Sequence, residues 1–189
     1  DMMRERDITA RFGRGGSTQY LVDMLEEGLT DYILDGQTFD LEGVRSMREN
    51  AGHVNTSPFT SYNWHGKGNF ASMLDAVVLG ATEVDVNFNA NVVTHSDGRL
   101  LHGIGGWQNC LASKCTILPI PSFRDRIPVL VDSVTTLCGP GDLIDVIVTE
   151  RGIAINPMRR DLIEKLRGSS LPIRSIEEIK DEVEQICGG

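Results

Sequence analysis

Apolar positions recur along the chain in two rhythms, and the points where they change over outline a set of elements. Residues 8–12 (ITARF) are short and apolar enough for a strand. GRGG at 13–16 follows, and then Leu21, Leu25 and Leu29 at helical spacing, which together read as strand, glycine loop and helix. Ser17 or Thr18 is placed to cap that helix and Gly28 to end it. Residues 32–34 give the next short strand, closed by Asp35 and Gly36, and Leu41, Val44 and Met47 mark a second helix beginning near Asp40. Strands that alternate with helices in this way need the crossovers of a parallel sheet. From 49 to 69 (ENAGHVNTSPFTSYNWHGKGN) neither period is sustained, which predicts a long polar loop of the kind that often carries function.

Further on, residues 74–79 and 83–88 read as sheet segments, and 91–94 and 100–101 flank the hairpin turn signal Asp97-Gly98, so the middle of the chain is expected to be antiparallel. HGIGG at 102–106 leads to a short helix and then to an apolar run at 116–120. Residues 128–131 and 143–149 are β-rich and separated by the turn GPGD, and 153–155 continue after Arg151-Gly152. Residues 159–167 and 175–187 are helical, the second opening on the capping box SIEE. The expectation is an α/β fold: a mixed, largely parallel sheet flanked by helices, with an antiparallel hairpin region, in one domain over residues 1–189.

Composition narrows the function. With 40% hydrophobic residues among 189, one core forms without metals or crosslinks, and 20 glycines against 6% aromatic residues favour many tight turns. Lys and Arg number 18 against 27 Asp and Glu, a formal charge of -9, which argues against nucleic acid or an acidic membrane as partner. Cys110, Cys115, Cys138 and Cys187 form no CxxC pair and read as reduced thiols of a cytoplasmic protein. No stretch approaches the roughly 18 apolar residues of a membrane span. The first residues are charged where a signal peptide is apolar, and the chain runs at once into a strand-like segment, which suggests a piece of a longer protein. His53, His65, His95 and His102 lack HxH or HExxH spacing, so no metal site is expected.

Three sets of segments carry a resemblance. MLDAVVLGATEVDVNFNANV (73–92) with GRLLHGIGGWQNCL (98–111) resembles the strand, LGA turn, antiparallel hairpin and GxGG loop of the coenzyme A transferases. IDVIVTERGIAINP (144–157) is similar to that family's closing strand pair around a T-E dipeptide. DGQTFDLEGVRSMREN (35–50), DRIPVLVDSVTT (125–136) and PMRRDLIEKL (157–166), in this order, resemble the citrate lyase alpha-subunit branch of that superfamily. The resemblance implies a coenzyme A transferase or NagB-like domain, the carboxy-terminal half of a two-domain chain whose active site lies against a missing amino-terminal domain. It implies exchange of acetate for citrate on an acyl carrier protein, with the thioester on a phosphopantetheine-type arm derived from dephospho-CoA, or on coenzyme A itself. No cofactor is then held by this chain. Its partners are the carrier subunit, the citryl lyase subunit, citrate and acetate, in an oligomer. The alternatives are a transferase specific for citramalate or another acid, a non-catalytic small-molecule binding domain such as a sugar-phosphate sensor, or a scaffold within a lyase complex.

Candidate residues follow from the chemistry. Attack on a thioester builds a tetrahedral oxyanion, and main-chain N–H groups at a glycine turn stabilise one without steric obstruction, which points to Gly103, Gly105 and Gly106. The alternative is that GIGG is only a tight turn. Where many of the superfamily carry a nucleophilic glutamate in E-N-G, the corresponding element here is Leu34-Asp35-Gly36. This departure fits direct exchange through a mixed anhydride, with Asp35 orienting substrate or arm, or simply holding a turn. Glu49-Asn50-Ala51-Gly52 only superficially echoes E-N-G, and Glu150 beside Arg151 reads as a structural ion pair. Citrate's carboxylates call for cations and amide donors: Arg45, Arg48, Lys67 and Arg99, with Ser61, Asn63 and His65 in the polar loop, although each cation taken singly reads as surface charge. His102 is the candidate proton donor and Trp107 the candidate surface for the carrier's arm, with a core aromatic as its alternative. Asn109 stands where many relatives place Asp.

Overall fold

The computed structural model describes residues 1–57, 60 and 70–188. By its contacts the chain divides into two units, Asp1–Phe70 and Ala71–Gly189. In the first, helix α1 (Met2–Glu5) precedes strand β1 (Gly13–Ser17), helix α2 (Gln19–Glu26), strand β2 (Ile33–Thr38), helix α3 (Leu41–Glu49) and strand β3 (His53–Asn55), and the three strands lie parallel in the order β1-β2-β3. The glycine run expected as a loop is the strand itself. A Cβ at Gly13 would come within 2.7 Å of the Leu21 side chain, so α2 lies directly against the backbone of β1. Residues 8–12 reach the sheet only through a bridge between Ala10 and Thr30. Strand β2 likewise continues past its expected stop at Asp35 and Gly36. The register moves from Gly15 opposite Asp35 to Gly16 opposite Gln37, which leaves Gly36 as the extra residue of a bulge. β3 lies inside the segment expected as loop.

The helix ends follow their signals in part. Gly28, at φ 73, closes α2 as expected. Thr18 stands at the N-cap of α2 without a side-chain bond, and Asp40 serves both helices, with Oδ2 accepting from Gln19 N at 2.7 Å and Oδ1 from Gly43 N at 2.8 Å. α3 buries Gly43 and Ser46, whereas Leu41 and Val44 are 83% and 57% exposed. Among the described residues of this unit the fully buried apolar side chains are Val22 and Ile33, and beside them lie the polar groups Ser17, Thr30, Asp35, Ser46 and His53.

The second unit holds the large apolar core. In chain order it contains β4 (Val77–Val78), β5 (Glu83–Asp85), β6 (Ala90–Asn91), α4 (Trp107–Cys110), β7 (Thr116–Pro119), β8 (Phe123–Arg124), β9 (Ile127–Pro128), β10 (Leu130–Val131), β11 (Val146–Thr149), β12 (Gly152–Ile155), α5 (Arg160–Lys165) and α6 (Ile176–Cys187). β4, β7 and β11 run parallel, and β12 returns antiparallel on β11. A second sheet has the order β10-β5-β6, and β8 and β9 form a hairpin. Leu118, Ile147, Val84, Leu130 and Phe88 meet Ile176, Ile179 and Val183 of α6, whose apolar stripe at helical spacing faces this core. The Ser175 hydroxyl accepts from Glu178 N while the Glu178 carboxylate accepts from Ser175 N, the capping box expected from SIEE. Among the described residues five strand pairings are parallel and three antiparallel, so the mixed, largely parallel α/β class holds.

Leu118→Ala removes a side chain with no exposed surface from the centre of β7 and lowers unfolding stability by about 2–5 kcal/mol. Ser175→Ala loses one cap bond at the surface and costs about 1 kcal/mol. Urea denaturation followed by circular dichroism checks this order, and equal losses contradict the placement of the core.

Candidate functional site

Ligands of open parallel sheets bind beyond the carboxyl ends of the strands. In the second unit the carboxyl ends of β4, β7 and β11 lead to Gly80, Ser122 and Glu150. The carbonyl of Gly80 accepts a hydrogen bond from Trp107 Nε1 at 2.8 Å, which sets α4 and the loop before it against the end of β4. That loop is Gly103-Ile104-Gly105-Gly106. Trp107 N donates to Ile104 O at 3.2 Å, but the N–H groups of residues 103 to 106 make no hydrogen bond among the described residues. Gly105 has φ +56, so its lack of a side chain is demanded by the backbone, whereas a Cβ on Gly103 would meet nothing within 4 Å and its φ is ordinary. The fold has no use for glycine at 103, and what glycine does there is leave the main chain open to approach. His102 Nδ1 lies 2.8 Å from Gly103 O. A carbonyl only accepts, so Nδ1 carries the hydrogen and Nε2 is the nitrogen left for other partners.

Glu150 is held by Ser122, whose main-chain N lies 3.0 Å from Oε2 and whose hydroxyl donates to Oε1. Burial raises the Glu150 pKa, but the Ser122 bonds and the Arg151 charge outweigh it and hold the carboxyl below its ordinary value. The expected Glu150–Arg151 pair is present at 3.6 Å, though Arg151 is closer to Glu182, at 2.7 Å.

Beside the hairpin turn at Asp97-Gly98 lies an open cavity of about 800 Å³, lined by Thr82, His95, Ser96, Asp97, Arg99, Leu101, Arg124, Ile127 and Val129. Arg99 pairs with Asp97 at 3.3 Å. Arg124 donates to the carbonyls of Thr82 at 3.0 Å and Ala81 at 2.9 Å, with no carboxylate in ion-pair range among the described residues. The sequence reading passed over Arg124, which in FRDRIP has the look of an ordinary surface cation. It also passed over Glu83, a buried carboxylate that accepts from Asn91 Nδ2 and Thr135 N at 2.9 Å each and so ties β5 to β6 and to the chain at Thr135. Burial raises the Glu83 pKa, and the bonds from Asn91, Ser96 and Thr135 bring it below the ordinary range.

Several expected site residues sit elsewhere. Asp35 is 1% exposed inside the first unit, with Gln37 N donating to Oδ1 at 2.9 Å and Thr38 Oγ1 to Oδ2 at 2.6 Å. It holds the bulge of β2 and reaches no surface, which corrects the expectation that it orients substrate. Its neighbours are Ser17, Ser46 and His53, with His53 Nε2 3.5 Å from Asp35 and 3.3 Å from Ser17, and Nδ1 2.9 Å from Ser46. Arg45 is bound by three carboxylates, Glu42, Glu26 and Glu49, which raise its pKa and leave no charge for a substrate. Arg48 pairs with Glu49 at 2.5 Å. Trp107 gives its N–H to Gly80 and packs its half-buried ring where a Cβ on Gly139 would come within 2.6 Å, at the edge of the core, as the core-aromatic alternative expects. Ser61, Asn63, His65 and Lys67 lie outside the described residues. The structure thus brings together Gly103, Gly105, Gly106 and His102 on one loop, with Arg99 on the hairpin that leads into it. Among the described residues no group of three or more His, Cys, Asp or Glu is arranged to hold a metal, and no helix is long and apolar enough to cross a membrane.

The architecture is that of the coenzyme A transferase-like proteins: the alpha subunit of a malonate decarboxylase from Acinetobacter baumannii matches 97% of this chain and 43% of its own at a TM-score of 0.61 and 14% identity, a likeness of fold alone. A structure from Streptococcus mutans described as the alpha subunit of citrate lyase in complex with citrate matches at a TM-score of 0.96 and 43% identity, over 100% of this chain and 37% of that one. The citrate lyase alpha chain of Escherichia coli K12 is 42% identical over all 189 residues, and the present chain spans 37% of its length. The family described as citrate lyase, alpha subunit (CitF), matches residues 1–189, and this chain belongs to it.

For Asp35, burial raises the pKa, but the bonds from Thr38, Ser17 and Gln37 and the nearby His53 outweigh it and leave it below its ordinary value. A depressed carboxyl stabilises the fold above the pKa of the unfolded chain, about 4, and the contribution is lost as pH falls through the lower folded value. Asp35→Asn therefore flattens the acid limb of the stability profile below about pH 4. Urea midpoints measured from pH 7 downward check it, and an unchanged acid slope contradicts the assignment.

Proposed function

We propose that this chain is part of the acyltransferase of citrate lyase, which exchanges acetate for citrate on the thioester arm of an acyl carrier protein. A carboxylate of citrate attacks the acetyl thioester carbonyl. The tetrahedral oxyanion collapses to a mixed acetyl-citryl anhydride and expels the carrier thiolate, and the thiolate then attacks the citryl carbonyl and releases acetate. Each step breaks one acyl bond as it makes another, and no proton or cofactor is consumed. The reading is carried by the run of unpaired N–H groups at Gly103 to Gly106 beyond the carboxyl end of β4. Preorganised amides of this kind stabilise an oxyanion at no cost of reorganisation, each worth on the order of 10² to 10³ in rate. The end-to-end family match and the citrate carried by the Streptococcus mutans relative support the choice of acid. The wider assembly follows from the same reading: a carrier subunit and a citryl lyase subunit as partners, a further domain of the same polypeptide, and an oligomer in the cytoplasm.

Full-length polypeptide incubated with acetylated carrier protein and citrate releases acetate. Gly103→Val obstructs the approach to the loop and lowers kcat by about tenfold or more, ~1.4 kcal/mol in the barrier, with the urea midpoint unchanged. Gly105→Val lowers both, because its φ suits glycine. Equal losses of turnover and stability in the Gly103 variant reduce the loop to a turn, and a covalent carrier or coenzyme A adduct on this chain, trapped by mass spectrometry, rules out direct exchange.

A further inference from the structure

The loop of residues 103–106 is held at both ends by one short segment, Gly80-Ala81-Thr82-Glu83, which runs from the end of β4 into β5. At the loop's exit Gly80 O accepts the indole N–H of Trp107. At its entry the hold runs through Glu83. Among the described residues this carboxylate, 2% exposed, meets four donors: Asn91 Nδ2 and Thr135 N, each 2.9 Å from Oε2, Thr135 Oγ1, 3.2 Å from Oε1, and the Ser96 hydroxyl. An ionised carboxylate only accepts, so it fixes which way the Asn91 amide is turned, with the NH2 toward Glu83 and Oδ1 away from it. Asn91 Oδ1 then accepts from Val93 N and Thr94 N, both at 3.2 Å. Thr94 N and Val93 O share one peptide plane, and in a trans peptide they point to opposite sides. Val93 O therefore faces the returning arm of the hairpin, where it accepts from Leu101 N at 2.7 Å and His102 N at 3.4 Å. The next residue is Gly103.

We propose that Glu83 is a positioning residue for acyl exchange: through Asn91 it orients the 93–94 peptide, and that peptide sets where the amides of 103 to 106 stand. The role rests on the acyl-exchange reading for what those amides do, and on the hydrogen bonds above for how they are placed. The chemistry of the carboxylate is essential to it. A glutamine at 83 has the same shape but a different set of hydrogens. Its one oxygen offers two lone pairs to four donors, and its NH2 points two further hydrogens at them. Turning the Asn91 amide to suit the glutamine would aim the Asn91 NH2 at the Val93 and Thr94 N–H groups, so the mismatch moves one step along and is not removed. Asn91 has no exposed surface, and no water reaches it to relieve the conflict. The chain itself has to give, and the 93–94 peptide is what the change releases. Misplacement of a transition-state donor by about 1 Å lowers a rate by up to about a hundredfold.

The test compares Glu83→Gln with the parent in full-length polypeptide, by acetate release from the acetylated carrier and by hydrogen exchange of residues 93–102 followed by mass spectrometry. Glu83→Gln lowers kcat by about tenfold or more, leaves the KM for citrate within about twofold, and speeds exchange across 93–102 by about tenfold or more. Ser175→Ala, which removes a cap bond of α6, leaves kcat and KM as in the parent and so separates positioning from a general loss of stability. Asn91→Ser leaves Glu83 with Thr135 and Ser96 but withdraws Oδ1 from the 93–94 peptide. It gives the same fall in kcat at constant KM, and it carries the test where Glu83→Gln does not fold. A kcat within about twofold of the parent in the folded variant overturns the proposal, as does a rise in KM at unchanged kcat, which assigns Glu83 to the shape of a substrate site. Unchanged exchange across 93–102 overturns it as well. A parent protein that releases no acetate sinks the acyl-exchange reading, and faster exchange in Glu83→Gln then leaves the placement of the loop by Glu83 standing.

Discussion

The hydrogen bond from the indole N–H of Trp107 to the carbonyl of Gly80 organises the second unit's candidate site. It is worth about 0.5–1.5 kcal/mol as a bond, but its consequence is geometric. It fastens the first turn of α4 to the chain just past β4 and so fixes the loop that enters α4 at the carboxyl end of the parallel strands. The indole fits because Gly139 presents no Cβ to its six-membered ring. Trp107 therefore acts on the loop by position, while the N–H groups of residues 103 to 106 have no hydrogen-bond partner among the described residues. Elsewhere the hairpin pairs its amides normally, with Leu101 N on Val93 O at 2.7 Å and His95 N on Arg99 O at 2.9 Å, so the change at 103 marks a boundary between structure and site.

A second theme is how an acidic chain buries carboxylates. Glu83 and Asp35, one in each unit, are nearly inaccessible, and among the described residues neither is matched by a Lys or Arg. Both are held ionised by short donors: Thr38 and Gln37 at Asp35, Asn91 and Thr135 at Glu83. Charged hydrogen bonds of this kind contribute more than neutral ones and give sharp direction. In the first unit they stand in for apolar packing, which explains how three short strands are joined around Val22 and Ile33 with so little hydrocarbon between them.

The legible parts of the fold were those whose signal is local. The capping box SIEE, the helix start near Asp40, the stop at Gly28 and the stripe of α6 rest on signals within a turn or so of helix, and the structure keeps each of them. GRGG failed as a loop because glycine there answers to Leu21 and Phe39, which pack on the strand from elsewhere in the chain, and no window of sequence reports that contact. β3 escaped notice because His-Val-Asn shows no alternation: its one buried member is a histidine satisfied by Ser17 and Ser46. The candidate cations misled in the same way. Arg45 lies beside functional-looking residues in the sequence, but α2 supplies Glu26 and α3 supplies Glu42 and Glu49, and three carboxylates close around it. The glycines at 103, 105 and 106 stand out in the sequence as a glycine-rich turn after a hairpin signal, and the structure places them on one loop.

Whether a cation can serve a ligand is decided by what already holds it. Arg45, Arg151, Arg159, Arg174 and Lys180 each meet at least one carboxylate within 3 Å, so each is part of the scaffold, and an incoming anion would have to displace a partner fixed in place. Carbonyl oxygens act differently. They carry a dipole and no net charge, so at Arg124 they fix the guanidinium's direction and leave its field to reach outward. In a chain with nine more acidic than basic groups, long-range attraction does not gather anionic substrates, since fields from distant charges are screened within about 10 Å. Recognition of anions then depends on the few donors that folding leaves uncommitted. Among the described residues of the second unit these include the amides at 103 to 106, which follow directly on the hairpin, so its register, set by Asn91 and Glu83, governs where they stand.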